Sequence, residues 1–268
     1  MGGDDLGSDD EYLIQTVGKE TLVEEFDKSQ VKATNENVKK KRSREVRSDD
    51  DEVEEVPTKK SSAKILIETG RDLQKESAQV QARFLWTALM HYTQLKGGSV
   101  DELTKLESHN ITTSCEGTLQ ARFKGIASLK KLKKWKPIGS PMIIVVCVSA
   151  RRAVAVLKEL SSLNVRAAKL FAKHMDVDEQ RTMLDTQSFG IAVGTPNRLQ
   201  ALCTAQEGST KASMYLGKTQ LVVFDSHTNA KGFTVCTLPD TATDCMDFLR
   251  EKVLPQMKKR KDIKIAII

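Results

Sequence analysis

The run Met142-Ile143-Ile144-Val145-Val146-Cys147-Val148 is apolar at every position. A strand with one face in water alternates polar and apolar side chains, so an unbroken apolar run of this length fits a strand buried on both faces. The run is far too short to span a bilayer. The signature returns in FGIAVG (189–194), in TQLVVFD (219–225) and in DIKIAII (262–268), with a further strand expected over VRAAKLF (165–171). Apolar periodicity predicts helices between them over 150–162, 176–186, 196–206 and 241–254, the third starting at Pro196, where a proline suits the first turn. Alternating strands and helices with fully buried strands predict an α/β fold with a doubly wound parallel sheet. Ligands of such sheets meet the loops at the carboxyl ends of the strands, so the residues just after each strand are the informative ones.

Ahead of this lobe (residues 111–268) two other regions are expected. Residues 63–110 read as a helical segment. In it Ile65, Leu66, Leu73, Val80, Phe84, Leu85, Ala88, Leu89 and Tyr92 recur at three- and four-residue spacings, which predicts one helix over 64–96. Gly97-Gly98 ends it, and Ser99 with Glu102 forms a capping box for a short following helix. Residues 1–62 read as a disordered tail, with acidic blocks and few large apolar residues to offset chain entropy. Residues 1–58 carry 17 Asp/Glu and 9 Lys/Arg, a net of −8. Residues 59–268 carry 33 Lys/Arg and 19 Asp/Glu, a net of +14. An acidic tail on a basic body points to a nucleic-acid-associated protein, or else to a solvated surface with a solubilising tail. Within the tail, Lys39-Lys40-Lys41-Arg42-Ser43-Arg44 fits a nuclear-localisation or nucleic-acid patch as well as a charge-balanced tail. Ser8 and Ser48 each precede three acidic residues, a context for phosphorylation by an acid-directed kinase.

Residues 118–136 form a basic amphipathic stretch. Leu129, Leu132 and Trp135 fall on one face at a spacing of three, while Lys130, Lys131, Lys133, Lys134 and Lys136 fill the rest. The apolar face suits packing on the core. The lysines are candidates for RNA phosphate contacts, with Trp135 either packed or stacking on a base.

The five cysteines are widely spaced and contain no CxxC pair, so no metal site is expected, and the usage suits a reducing compartment. His91 and His109 have no second ligand at a useful spacing. The N-terminus is acidic where a secretory signal would be basic and then apolar. The expectation is a soluble intracellular protein with no membrane partner and no small-molecule substrate.

Three of the loops after strands resemble the first lobe of a DEAD-box RNA helicase. Ser149-Ala150-Arg151-Arg152 resembles motif Ia, Gly194-Thr195-Pro196-Asn197-Arg198-Leu199 resembles motif Ib, and Asp225-Ser226-His227-Thr228 stands where D-E-A-D would. Together with Lys169-Leu170-Phe171-Ala172-Lys173-His174, this pattern resembles the Cms-one-like family. That resemblance implies a single degenerate RecA-like helicase lobe and a nucleolar role in assembling the small ribosomal subunit. By position it nominates Arg151, Arg152, Thr195 and Arg198 as contacts to the RNA backbone. Arginine suits bidentate phosphate binding, and the N-terminus of helix 196–206 offers free N–H groups. Alternatively, Thr195 caps that helix and Arg198 pairs with an acidic neighbour. Lys173 and His174 fit the same face or a protein interface.

The same comparison predicts no ATPase and no catalytic residue. No Gly-Lys-Ser/Thr loop lies upstream of Met142, and Gly217-Lys218-Thr219 enters a strand rather than a helix. Ser226 replaces the glutamate that would position the attacking water, and Ser is no base at neutral pH. Asp225, left without its partner, is expected as a loop cap or as a salt-bridge partner. A Ser226-His227 hydrolase is not supported, because adjacent residues at a strand end point apart. The chain reaches Ile268 at about the end of one lobe, so strand separation is not expected. The expected partners are pre-ribosomal RNA and small-subunit precursor proteins, with no cofactor, in the nucleus and nucleolus. A protein-interaction scaffold without RNA contact is the main alternative, and a residual nucleotide binder a further one.

Overall fold

The computed structural model describes residues 59–99, 103–113, 117–173 and 175–268. The tail expected over residues 1–58, with Ser8, Ser48 and the 39–44 basic cluster, lies outside the described residues, as do Glu102, Cys115 and His174. Helix α1 begins at Lys59, inside the stretch expected to be tail, and runs to Gly70; α2 covers Ala78–Leu95. The single helix expected over 64–96 is therefore two. Glycine costs a helix interior about 1 kcal/mol, and here the chain turns at Gly70, passes through a 3-10 turn at Leu73–Lys75, and restarts at Ser77, whose hydroxyl accepts from Val80 N. The break lets the apolar sides of both helices, through Leu66 and through Phe84, Leu85 and Leu89, reach one core.

The basic stretch folds as α3 (Leu119–Ile126) and α4 (Leu129–Lys133). Next come β1 (Ile143–Val146), α5 (Ala150–Leu160), β2 (Ala167–Leu170), α6 (Val177–Thr186), β3 (Ile191–Gly194) and α7 (Pro196–Leu202). After them lie β4 (Leu221–Phe224), α8 (Pro239–Phe248), α9 (Leu254–Lys259) and β5 (Lys264–Ile267). Helix α7 stops short of the expected residue 206. Between α8 and α9 the residues Leu249–Val253 wind as a π turn. Pro255 explains it: the ring has no N–H to give the carbonyl four residues back, and the ladder widens around the gap.

The five strands form one all-parallel sheet in the order β2-β3-β1-β4-β5. This is the α/β architecture expected from the apolar runs. From β1 the chain crosses past β3 to β2, and every later crossover moves the other way. Right-handed crossovers then require α5 on one face and α6, α7 and α8 on the other. The packing agrees. Ile144, Val146, Ala192, Val222, Phe224, Ile265 and Ile267 share a core with α6–α8 and with α1–α2. Ile143, Val145, Ile191, Val193, Val223 and Ala266 share the opposite core with α5, Phe123 and Leu132. The helical segment expected over 63–110 thus contributes to the same core as the lobe. Tyr92 Oη also donates to Thr237 O at 3.4 Å, and Lys96 pairs with Asp247. Among the described residues no helix is long and apolar enough to cross a membrane.

Gly194 ends β3 opposite Leu170 of β2, where a Cβ would lie 2.9 Å from Leu170 Cβ and 3.0 Å from Leu199 Cδ2 and would run into Leu170 O. Overpacking of this kind costs roughly 1–3 kcal/mol. Gly194→Ala is expected to lower the unfolding free energy by that amount, read as a lower urea midpoint at unchanged slope. An unaltered midpoint would show that β2 and α7 can shift to make room.

Candidate nucleic-acid interface

At the carboxyl ends of the neighbouring strands β1 and β4, the nominated Arg152 meets two carboxylates, Asp225 and Glu159. Ser149 caps α5, its hydroxyl accepting from Arg152 N at 3.2 Å. This fixes Arg152 in the first turn, facing the end of β4. There it donates from Nε to Asp225 Oδ2 at 2.8 Å and from Nη2 to Oδ1 at 3.0 Å, while Nη1 reaches Glu159 Oε1 at 3.1 Å. The Asp225 side chain is 2% exposed and that of Arg152 16%. Burial works to lower the guanidinium pKa, but the hydrogen bond and charge of Asp225, aided by Glu159, outweigh it and hold it above its ordinary value. The buried Cys147 thiol alongside is pushed well up, by burial first and then by the negative charge of Asp225. Of the two readings of Asp225, the salt-bridge partner is what the structure contains. Nε, Nη1 and Nη2 of Arg152 thus each donate inside the protein, which gives this residue a structural role beside the expected phosphate contact.

Arg198 is also held from within, through Nη1. Among the described residues it makes no ion pair. Its Nη1 donates to Gln180 Oε1 at 3.0 Å and to Met175 O at 3.3 Å. Gln180, fully buried, in turn donates to Lys169 O at 3.0 Å and Phe171 O at 3.1 Å. The sequence reading missed Gln180, because an amide on an amphipathic helix reads as solvent-facing. Thr195 does occupy the N-cap of α7, but its side chain makes no cap hydrogen bond and instead meets Asn197 Oδ1 at 3.4 Å. With seven residues and a proline at its start, α7 is a weaker anion site than the longer helix expected. Arg151, one position before Arg152, points outward and is exposed, as is Lys173.

The lysines do not join this edge. Leu132 is buried, and Trp135 donates from Nε1 to Ser140 O at 2.9 Å and accepts from Ser188 Oγ at its carbonyl at 3.3 Å. Ser140 precedes β1 and Ser188 precedes β3, so α4 and Trp135 sit at the amino ends of the strands. Four-residue strands at about 3.3 Å per residue separate that edge from Arg151 and Thr195 by roughly 10 Å or more. Lys130, Lys131, Lys133 and Lys134 are exposed there. Lys130, Lys131, Lys134 and Trp135 line a depression of about 360 Å³.

Two further features escaped the sequence reading. Ile111 bridges in parallel to Ile265 on the outer edge of β5, and Thr112 N donates to Ile265 O at 2.8 Å. Helix α3 follows at Leu119, with Phe123 buried beneath α5. Between Ile111 and Leu119 the sequence holds no Gly-Lys-Ser/Thr. The second feature is a polar cleft of about 500 Å³ between the end of α1 and the loop after β4, lined by Arg71, Asp72 and residues 228–232. Among the described residues no group of three or more His, Cys, Asp or Glu side chains could hold a metal ion.

Comparison with known proteins matches residues 20–268 to the family described as CMS1: U3-containing 90S pre-ribosomal complex subunit. Protein cms1 of Schizosaccharomyces pombe is 31% identical over 134 residues, 48% of this chain and 46% of that protein. Protein CMSS1 of Xenopus laevis is 33% identical over 89 residues, 32% of each chain. Protein CMSS1 of Homo sapiens is 24% identical over 165 residues, 60% of this chain and 56% of that protein. The chain thus matches about half the length of these relatives or less. The family match takes in both strand edges, α1–α9 and part of the N-terminal tail, and on it the chain belongs to the CMS1 family.

Proposed function

We propose that the protein is a non-catalytic, RNA-associated assembly factor of the small ribosomal subunit, acting on pre-ribosomal particles in the nucleolus. The family description as a subunit of the U3-containing 90S pre-ribosomal complex supports the setting. The observation that carries the RNA reading is the exposed lysine group of α4, none of whose members takes part in the ion pairs among the described residues. The Arg152–Asp225 pair supports the non-catalytic part. A Mg²⁺-bound phosphate at the end of β4 needs an available carboxylate, and Asp225 is buried and already accepts from Arg152 at both oxygens. On this reading RNA phosphates meet Lys130, Lys131, Lys133 and Lys134, with Arg151 and Thr195 at the far edge as a second contact. Arg152 and Arg198 hold the fold.

The test is binding to single-stranded RNA at two salt concentrations. Replacing the four lysines by glutamine is expected to weaken binding at least tenfold and to flatten the salt dependence by about 3 in log–log slope, at roughly 0.7 for each phosphate no longer neutralised. Equal affinity and slope for the variant would remove α4 from the interface. No RNA affinity in the parent chain, with binding to small-subunit precursor proteins kept, would favour the scaffold alternative.

A further inference from the structure

We infer that the depression beside Trp135 is a stacking site for one unpaired base of single-stranded RNA; the inference rests on the RNA-associated reading of α4. The walls are the indole and three lysines, Lys130, Lys131 and Lys134, and no carboxylate or amide lines it. Lysine stems are apolar, and their ammonium heads stay in water. Such a slot is therefore greasy within and cationic at its rim, a pattern that matches a nucleotide, whose base has two apolar faces and whose flanking phosphates are anionic. The depression is open, so a base can lie against the indole with its ribose and phosphates at the lysine rim.

The ring is also held ready. Its N–H is already satisfied by Ser140 O at 2.9 Å, and part of the side chain packs against the core on the α5 side of the sheet. The indole thus needs no new hydrogen-bond partner and has little rotamer freedom to lose when a base arrives. Every base offers a face for stacking, so the slot predicts affinity without strong sequence preference. A duplex keeps its bases stacked on one another, so the slot predicts discrimination against double strands. An acidic peptide could meet the lysines but would leave the apolar wall without a flat partner.

The chain contains two tryptophans, Trp86 and Trp135, so Trp86→Phe makes Trp135 the only indole emitter in the chain. Titration with a fluorescein-labelled twelve-residue oligoadenylate is followed in two channels, indole emission and label anisotropy. Quenching of Trp135 that saturates together with the anisotropy is expected, with weaker binding and little quenching by a duplex of equal length. Trp135→Phe, which keeps a smaller ring in place, is expected to bind several-fold less tightly, and Trp135→Leu about tenfold or more. If Trp86→Phe fails to fold, the parent protein and Trp135→Phe give the same comparison by difference. Anisotropy that rises without quenching, or equal quenching by duplex, overturns the stacking site while leaving RNA association standing. Absence of binding in both channels overturns the two together. Quenching by polyglutamate as strong as by RNA assigns the slot to an acidic protein instead.

Discussion

Arg152→Met is expected to lower the stability of the protein by about 3–5 kcal/mol, the usual loss when one partner of a buried ion pair is removed. Asp225 is 2% exposed and accepts both of its strong hydrogen bonds from Arg152. Without the guanidinium its charge has neither water nor a counter-ion, and the carboxylate must either pull solvent into the end of the sheet or take up a proton. For an ordered region of this size the loss corresponds to a fall of roughly 10 °C in the melting temperature. Arg152→Lys keeps the charge but gives up the fork, and should fall between. The decisive comparison is the double variant Arg152→Met with Asp225→Leu. Apolar replacement of both members of a buried pair is often neutral, so the double variant should regain most of the loss. Thermal and urea unfolding of all four proteins measure this directly. A melting temperature for Arg152→Met within a degree or two of the parent would mean that the pair is not structural, and Arg152 would return as a ligand contact.

The same geometry bears on function. A nucleotide with its metal ion would compete at the end of β4 with the Arg152 guanidinium for Asp225, and displacing it would cost that stability loss. The proposed non-catalytic role therefore depends on more than the absence of Gly-Lys-Ser/Thr. It also draws on the Arg152–Asp225 pair, which holds the first turn of α5 to the end of β4.

The fold was legible where burial leaves a simple trace. Strands covered on both faces must be apolar throughout, and β1, β3, β4 and β5 fall inside the runs seen in the sequence. Their ends were overestimated, because the apolar run continues past the last ladder partner, as at Cys147 and Val148 beyond Ile143–Val146. The break between α1 and α2 was hidden because Leu66, Leu73 and Val80 keep helical spacing across it, although Gly70 and Ser77 marked it. At the site, Arg151 and Arg152 look equivalent in sequence. On a helix they differ by 100° in direction, so one turns to the sheet end and the other to water. The position of the lysines could have been read: residues just before a parallel strand lie at its amino end, and Lys130–Lys134 precede β1. What could not be read is Gln180, whose role depends on which carbonyls of a distant strand lie beside it.

Gln180→Leu is the next largest loss expected, about 2–4 kcal/mol. β2 is an edge strand, and in a parallel sheet the carbonyls of alternate residues point away from the partner strand. Lys169 O and Phe171 O are such groups. They are covered not by another strand but by the Gln180 amide, at 3.0 and 3.1 Å. Each buried carbonyl left without a donor costs roughly 1–3 kcal/mol, and leucine would also leave Arg198 Nη1 with only Met175 O at 3.3 Å. Gln180→Glu separates the two duties. A carboxylate still accepts from Arg198, and accepts better, but has nothing to donate to the β2 carbonyls. If covering the edge is what matters, Gln180→Glu should be as damaging as Gln180→Leu, and amide exchange should accelerate over Ala167–Leu170 in both. If fixing Arg198 is what matters, Gln180→Glu should be nearly neutral in urea. In either case Arg198→Ala should cost stability and leave RNA affinity within about twofold, as its inward hydrogen bonds require. A tenfold loss of RNA affinity in a stably folded Arg198→Ala protein would put that arginine back on the RNA-facing surface.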